Sequence, residues 1–188
     1  MLVQKDEDVQ EKSRRLESER RLAALKGVDI LQSLTDGEHR LLSERLRTSP
    51  FARGEIMTRQ GDEAHWLYIV VQGKAEARLY SPDGAVFQTV GTLGPGDFLG
   101  EMGLLTGEPR SATVVASSDV LCYRLDSDGF RDILARRPEI AESISLILAQ
   151  RKTGLAAAQG GLDEAVRRQD LKVEQGDLLS RIRRLFSL

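Results

Sequence analysis

The groups that could do chemistry concentrate in two neighbouring stretches. These are Gly96-Asp97-Phe98-Leu99-Gly100-Glu101-Met102-Gly103-Leu104-Leu105 and Gly107-Glu108-Pro109-Arg110-Ser111-Ala112-Thr113. Together they read as a strand, a glycine turn, one turn of helix and a return. Gly100 and Gly103 allow close approach of the backbone, and a short helix opening near Glu101 aims unpaired amides at an anion. Arg110 brings a fixed cation whose planar donor fork suits phosphate oxygens, and Ser111 adds a hydroxyl beside it. Glu101 is out of place next to bare phosphate, yet a carboxylate accepts well from sugar hydroxyls. The combination specifies a ribose-phosphate.

Other chemistry has little support. His39 in an early helix and His65 in a loop stand far apart without metal-ligand spacing, and both read as surface residues. Asp97 and Glu101 could form an acid pair acting on a phosphodiester, but no two-metal set of carboxylates and histidines accompanies them. No catalytic residue and no metal site are expected. Cys122, the single cysteine, lies in an apolar stretch and reads as a packed, inert thiol. Trp66, Tyr68 and Phe98 read as core.

The elements that must position these groups change character along the chain. Residues from about Asp8 to Lys26 carry mixed charge with Leu16, Leu22 and Leu25, a solvated helical lead-in that Gly27 ends. Thr35 and Glu38 make a capping-box pattern for a helix over Asp36 to Arg47, with Leu41, Leu42 and Leu46 as its apolar face and Pro50 helping to close it. From Phe51, β-favouring runs alternate with glycine, proline and aspartate breaks: Ile56-Met57, Trp66 to Val71, Ala75 to Tyr80, Val86 to Val90, Ala112 to Ala116 and Val120 to Leu125. In one of them Ala75, Ala77 and Leu79 alternate with Glu76 and Arg78. Asp126 or Ser127 can cap a short helix bearing Phe130, Ile133 and Leu134. Pro138 suits the start of a longer one whose face is Ile140, Ile144, Ile147, Leu148 and Arg151. Gly154 and Gly160-Gly161 read as a flexible break before an amphipathic tail with Leu178, Leu179, Ile182, Leu185 and Phe186. The fold class is α+β, an antiparallel β-roll flanked by helices. Residues 1–27 form the lead-in, 28–152 the roll domain, and 153–188 the break and tail.

With 188 residues the chain fits one domain and its extensions. Lys plus Arg number 27 against 29 Asp plus Glu, so no global field draws it to nucleic acid. No apolar run nears the ~20 residues of a membrane helix, and the charged start does not read as a signal peptide. The cytoplasm is the expected compartment.

The two chemical stretches closely resemble the phosphate-binding cassette of the cyclic-nucleotide-binding domain family. The likeness extends over Val28 to Lys152, including the turns at Gly54-Glu55-Ile56 and Gly61-Asp62 and the Val71-Gln72-Gly73 hairpin. It implies that Phe98, Leu99, Gly100, Glu101, Met102, Arg110, Ser111, Ala112, Thr113 and Arg151 bind ligand. Gly100 and Met102 would offer backbone contacts, Glu101 would take the ribose 2′-hydroxyl, and Arg110 with Ser111 the cyclic phosphate. The purine would lie on apolar strand residues under the helix after Pro138, with Arg151 a base-side contact. The ligand implied is cAMP, by family habit in bacteria, or cGMP, whose amino group Ser111 could reach.

Three effector classes follow: a transcription regulator, an enzyme's regulatory subunit, and a channel's gating module. The region after Lys152 makes a poor recognition helix, because its charges are mixed and glycine interrupts it. The lead-in, with Arg21-Leu22-Ala23-Ala24-Leu25, and the closing Arg181-Ile182-Arg183-Arg184-Leu185-Phe186 are similar to C-terminal portions of bacterial mechanosensitive-type channels bearing this domain. The expectation is a sensor without a nucleic-acid partner that passes occupancy to a channel or other effector domain, with a homo-oligomer open. A degenerate domain serving as a scaffold is the alternative. The tail could lie on anionic lipid or pack on the domain.

Overall fold

A computed structural model describes residues 2–160 and 164–188. Helix α1 (Leu2–Lys26), a 3-10 turn (Asp29–Leu31) and α2 (Asp36–Arg45) lead into strands β1 (Arg47–Phe51), β2 (Ile56–Thr58), β3 (Leu67–Gln72), β4 (Ala75–Tyr80), β5 (Phe87–Leu93) and β6 (Phe98–Leu99). Then follow α3 (Glu101–Thr106), β7 (Thr113–Ala116), β8 (Val120–Leu125), α4 (Ser127–Arg136), α5 (Glu139–Gly160) and α6 (Glu164–Phe186). The strands form two four-stranded antiparallel sheets, ordered β1-β8-β3-β6 and β2-β7-β4-β5. This is the expected roll with flanking helices.

The first sheet is a wall between two cores. On β3, Leu67 and Ile69 face the helices while Tyr68 and Val70 face the interior of the roll; on β8, Tyr123 and Leu125 face the helices while Val120 and Cys122 face inward. Both faces are buried, which is why Leu67 to Val71 is one continuous apolar run. Burial pushes the Cys122 thiol up to about 12, so it stays protonated and inert.

The local helix signals hold. Thr35 and Glu38 close the capping box, with Thr35 N donating to Glu38 Oε2 at 2.7 Å and Glu38 N to Thr35 Oγ1 at 3.3 Å. Asp126 caps α4 by accepting from Gly129 N.

Several expectations are corrected. Helix α2 stops at Arg45, and Pro50 lies inside β1 opposite Leu121. An edge strand tolerates proline because the missing donor faces away from the ladder. Leu42 and Leu46 are buried, but Leu41 is exposed. His39 is buried, its Nδ1 3.1 Å from Thr35 O in the preceding turn. The lead-in is docked: Leu25 is buried, Tyr123 Oη donates to Glu17, and Arg21 donates to Leu46 O.

Gly154 does not break the chain, since α5 runs through it to Gly160. Glycine costs a helix only about 1 kcal/mol, and contacts along α5 and α6 outweigh that. Gly161 lies outside the described residues. The tail's apolar face packs on the domain, with Leu178, Ile182 and Phe186 buried in the helix-side core. No helix among the described residues is long and apolar enough to cross a membrane.

Candidate functional site

The cassette is assembled from both sheets. Strand β6 ends at Leu99, and Gly100 turns the chain with φ +88° into the N-terminus of α3. A side chain is excluded there, because a Cβ on Gly100 would press on the Arg110 guanidinium and lie 2.6 Å from Trp66 O. A Cβ on Gly103 would lie 2.6 Å from Glu108 O. Both glycines of the motif therefore serve close packing within the cassette.

Arg110 is placed by the turn at Gly61-Asp62. Gly61 N donates to Arg110 O and Arg110 N to Asp62 O, each at 2.8 Å, which explains why that distant turn belongs with the motif. The side chain is 8% exposed. Its Nη2 donates to Trp66 O at 2.7 Å, while Nη1 is buried without a hydrogen-bond partner in the protein. Burial pulls the guanidinium's pKa down from its ordinary value, partly opposed by Tyr68, Glu101 and Asp62. A buried cation with an unused donor is costly, and an anion satisfies it.

Strands β2, β4, β5, β6 and β7 and the cassette line a cavity of about 420 Å³. Its polar end is Gly100, Glu101, Met102, Arg110, Ser111 and Ala112, and its apolar wall includes Ala77, Leu79, Val90, Leu93, Leu99 and Val114. The size falls within the range of small-ligand pockets, ~300–1,000 Å³. Of the ten residues that the resemblance assigns to the ligand, seven line this cavity: Leu99, Gly100, Glu101, Met102, Arg110, Ser111 and Ala112.

Three do not. Thr113 is buried beside the cavity, and its Oγ1 accepts from Gln60 N at 3.0 Å, tying β7 to the end of β2. Phe98 and Arg151 stack behind Glu101, with the guanidinium 4.1 Å from the ring centroid. Arg151 Nη1 is 3.6 Å from Glu101 Oε1, and its Nη2 donates to Asp29 Oδ2 at 2.8 Å. Arg151 thus ties α5 and the 3-10 turn to the cassette; it is absent from the cavity lining, and so are the other residues of 139–153. Helix α5, the helix expected over the base, packs on the 3-10 turn and α6 in this ligand-free structure. Ala77, Leu79, Val90, Leu93 and Val114 escaped the site assignment, although the alternation on β4 placed Ala77 and Leu79 on one face.

Burial raises the Glu101 carboxyl above its ordinary value near 4.5, against the lowering effects of its own amide and Arg151. The folded protein therefore holds a proton on Glu101 at pH values where the unfolded chain has lost it. Stability from this group falls as pH rises from about 4.5 through the raised value, and the charged form remains a cost above it. Glu101→Gln is expected to melt higher than the parent at neutral pH, with the gap closing as pH falls through that window. Thermal melts at a series of pH values would show it; a lower melting temperature at neutral pH would mean the pair with Arg151 outweighs burial.

Among the described residues, no group of three or more His, Cys, Asp or Glu side chains could hold a metal ion. Residues 48–137 match the family model for the cyclic nucleotide-binding domain. The chain is 30% identical over 122 residues to the CRP-like cAMP-activated global transcriptional regulator of Mycobacterium tuberculosis (strain CDC 1551 / Oshkosh), across 65% of this chain and 54% of that protein. It therefore spans about half the length of that curated relative. The regulatory domain of Toxoplasma gondii PKA, crystallised with cAMP, is 27% identical with a TM-score of 0.58, over 68% of this chain and 52% of that one. The N-terminal domain of a transcriptional regulator from Streptomyces coelicolor A3(2) is 29% identical with a TM-score of 0.58, over 68% of this chain and 91% of that one. The two-sheet roll and its glycine-arginine cassette agree with these likenesses, and residues 48–137 are the part of the chain that matches the cyclic nucleotide-binding domain family.

Proposed function

We propose that the cavity binds a cyclic nucleotide, cAMP first, and that the chain senses it for another domain or partner without transforming it. The observation that carries this reading is Arg110, buried at the polar end of the cavity with Nη1 unpaired beside the turn at Gly100. A cyclic phosphate would accept from Arg110 and Ser111, the ribose 2′-hydroxyl would donate to Glu101, and the purine would cover Leu79 and Val90 on the apolar wall. Occupancy can shift the flanking helices only by as much as the ligand prefers one arrangement of them. Arg151, which touches the back of Glu101 from α5, is the route from ribose to helix.

The effector is a partner domain that reads α5 and α6. The named relatives are transcription regulators and a kinase regulatory domain. The likeness to channels rests on Arg21 to Leu25 and Arg181 to Phe186. In the structure these segments pack on the domain through Leu25, Ile182 and Phe186. Calorimetric titration with cAMP, cGMP and 5′-AMP tests the ligand reading. Saturable heat with a cyclic nucleotide and little with 5′-AMP is expected; no heat with any of the three would leave a scaffold that keeps the fold without the ligand.

A further inference from the structure

Helix α6 meets the cassette from the side opposite the cavity. Besides lying along α5, it touches α3 and α4. Its Leu178 and Ile182 are fully buried in the same core as Leu104 and Leu105 of α3. At the end of α3, Arg181 Nη1 lies 2.8 Å from Glu108 Oε1, and Glu108 stands two residues before Arg110. Lys152 of α5 reaches the same carboxylate at 4.0 Å and pairs with Glu174 of α6 at 2.6 Å. Glu108 is therefore a junction of cassette, α5 and α6.

The cavity mouth is apolar and uncovered. Leu79 is 45% exposed and Val90 44%, and the lining includes no residue of 139–153 in α5 or 169–186 in α6. A purine on this wall gains most if an element then closes over its other face, since each apolar surface removed from water adds to binding. Helix α5 is tied to Glu101 of the cassette through Arg151. It cannot travel toward the mouth without carrying or shedding α6, and α6 is fastened to α3.

We infer that α6 is a cis-acting strap that stabilises the uncovered arrangement and thereby lowers affinity for the nucleotide. The inference rests on the cyclic-nucleotide reading of the cavity. Apparent affinity falls with the fraction of molecules in the binding-competent arrangement, so loosening the strap tightens binding. It also makes α6 a readout: ligand that draws the cassette inward releases the helix, and a partner can then take the exposed face.

The test uses the full chain, titrated with cAMP as the parent, as Arg181→Gln, as Arg181→Lys and as Leu178→Ala. Hydrogen exchange of peptides from α3 and α6 is followed with and without cAMP. Arg181→Gln should bind about two- to fivefold tighter, the scale of one partly exposed ion pair. Arg181→Lys should stay near the parent, and Leu178→Ala should tighten by about tenfold, within the range of site-to-site coupling. Amides of α6 should exchange faster in both loosened variants, and in the parent once cAMP is added. Unchanged or weaker affinity in Arg181→Gln and Leu178→Ala, or slower α6 exchange with ligand, would overturn the strap. A parent that binds no cyclic nucleotide would overturn the ligand reading and with it the regulation. That failure is recognisable because α6 exchange would still respond to Arg181→Gln without ligand.

Discussion

Arg110→Ala is expected to lose about 2–5 kcal/mol of cyclic-nucleotide affinity, roughly 30- to several-thousand-fold, while the roll stays folded. The size follows from burial. At the polar end of the cavity the guanidinium is 8% exposed, so its attraction to a phosphate is little screened by water. Alanine removes the charge and leaves Trp66 O without its donor, which costs the free protein some stability as well. Titration of the variant beside its circular dichroism spectrum separates the two effects. Arg110→Lys should recover only part of the loss, because an ammonium keeps the charge but not the planar fork. Affinity unchanged in Arg110→Ala with the fold intact would remove the phosphate from this end of the cavity.

The second large effect is steric. Gly100→Ala should destabilise the protein by about 2–5 kcal/mol, combining ~1–2 for an L-residue in the left-handed region with ~1–3 for overpacking. It should also weaken ligand binding, since the new methyl must displace the Arg110 guanidinium. Gly107→Ala is the matched control. Gly107 has φ +75° with open space around its Cβ direction, so only the strain of about 1–2 kcal/mol applies, and affinity should hold. Denaturant melts and titrations of the two variants make the comparison. Equal loss of stability and equal affinity in both would mean that the cassette yields around Gly100.

The cassette was legible in the sequence because its parts are local. Gly100, Glu101 and Met102 are consecutive, Arg110 and Ser111 follow within one helical turn and a return, and the residue types themselves state the chemistry. The caps at Thr35 and Asp126 were legible for the same reason. What escaped depends on tertiary placement. Pro50 reads as a stop unless β1 is known to be an edge strand. His39 reads as a surface residue unless its neighbours are known to cover it. Arg151 reaches its partners Asp29 and Glu101 across 122 and 50 residues of chain, and no periodicity announces such a pairing. The seat of α6 on α3 belongs here too: its apolar residues declare a buried face, but not which surface receives it.

The wall formed by β1, β8, β3 and β6 also bears on how the molecule comes apart. Because β3 and β8 give alternate residues to the two cores, neither core can dissolve while the other keeps its packing. Roll interior and helical flank are then one cooperative foldon, and the β3 and β8 amides should be the last to open. Destabilisation begun at the helices is felt within the roll. A partner that pulls on those helices thus works against the stability of the whole domain, and not of a detachable edge.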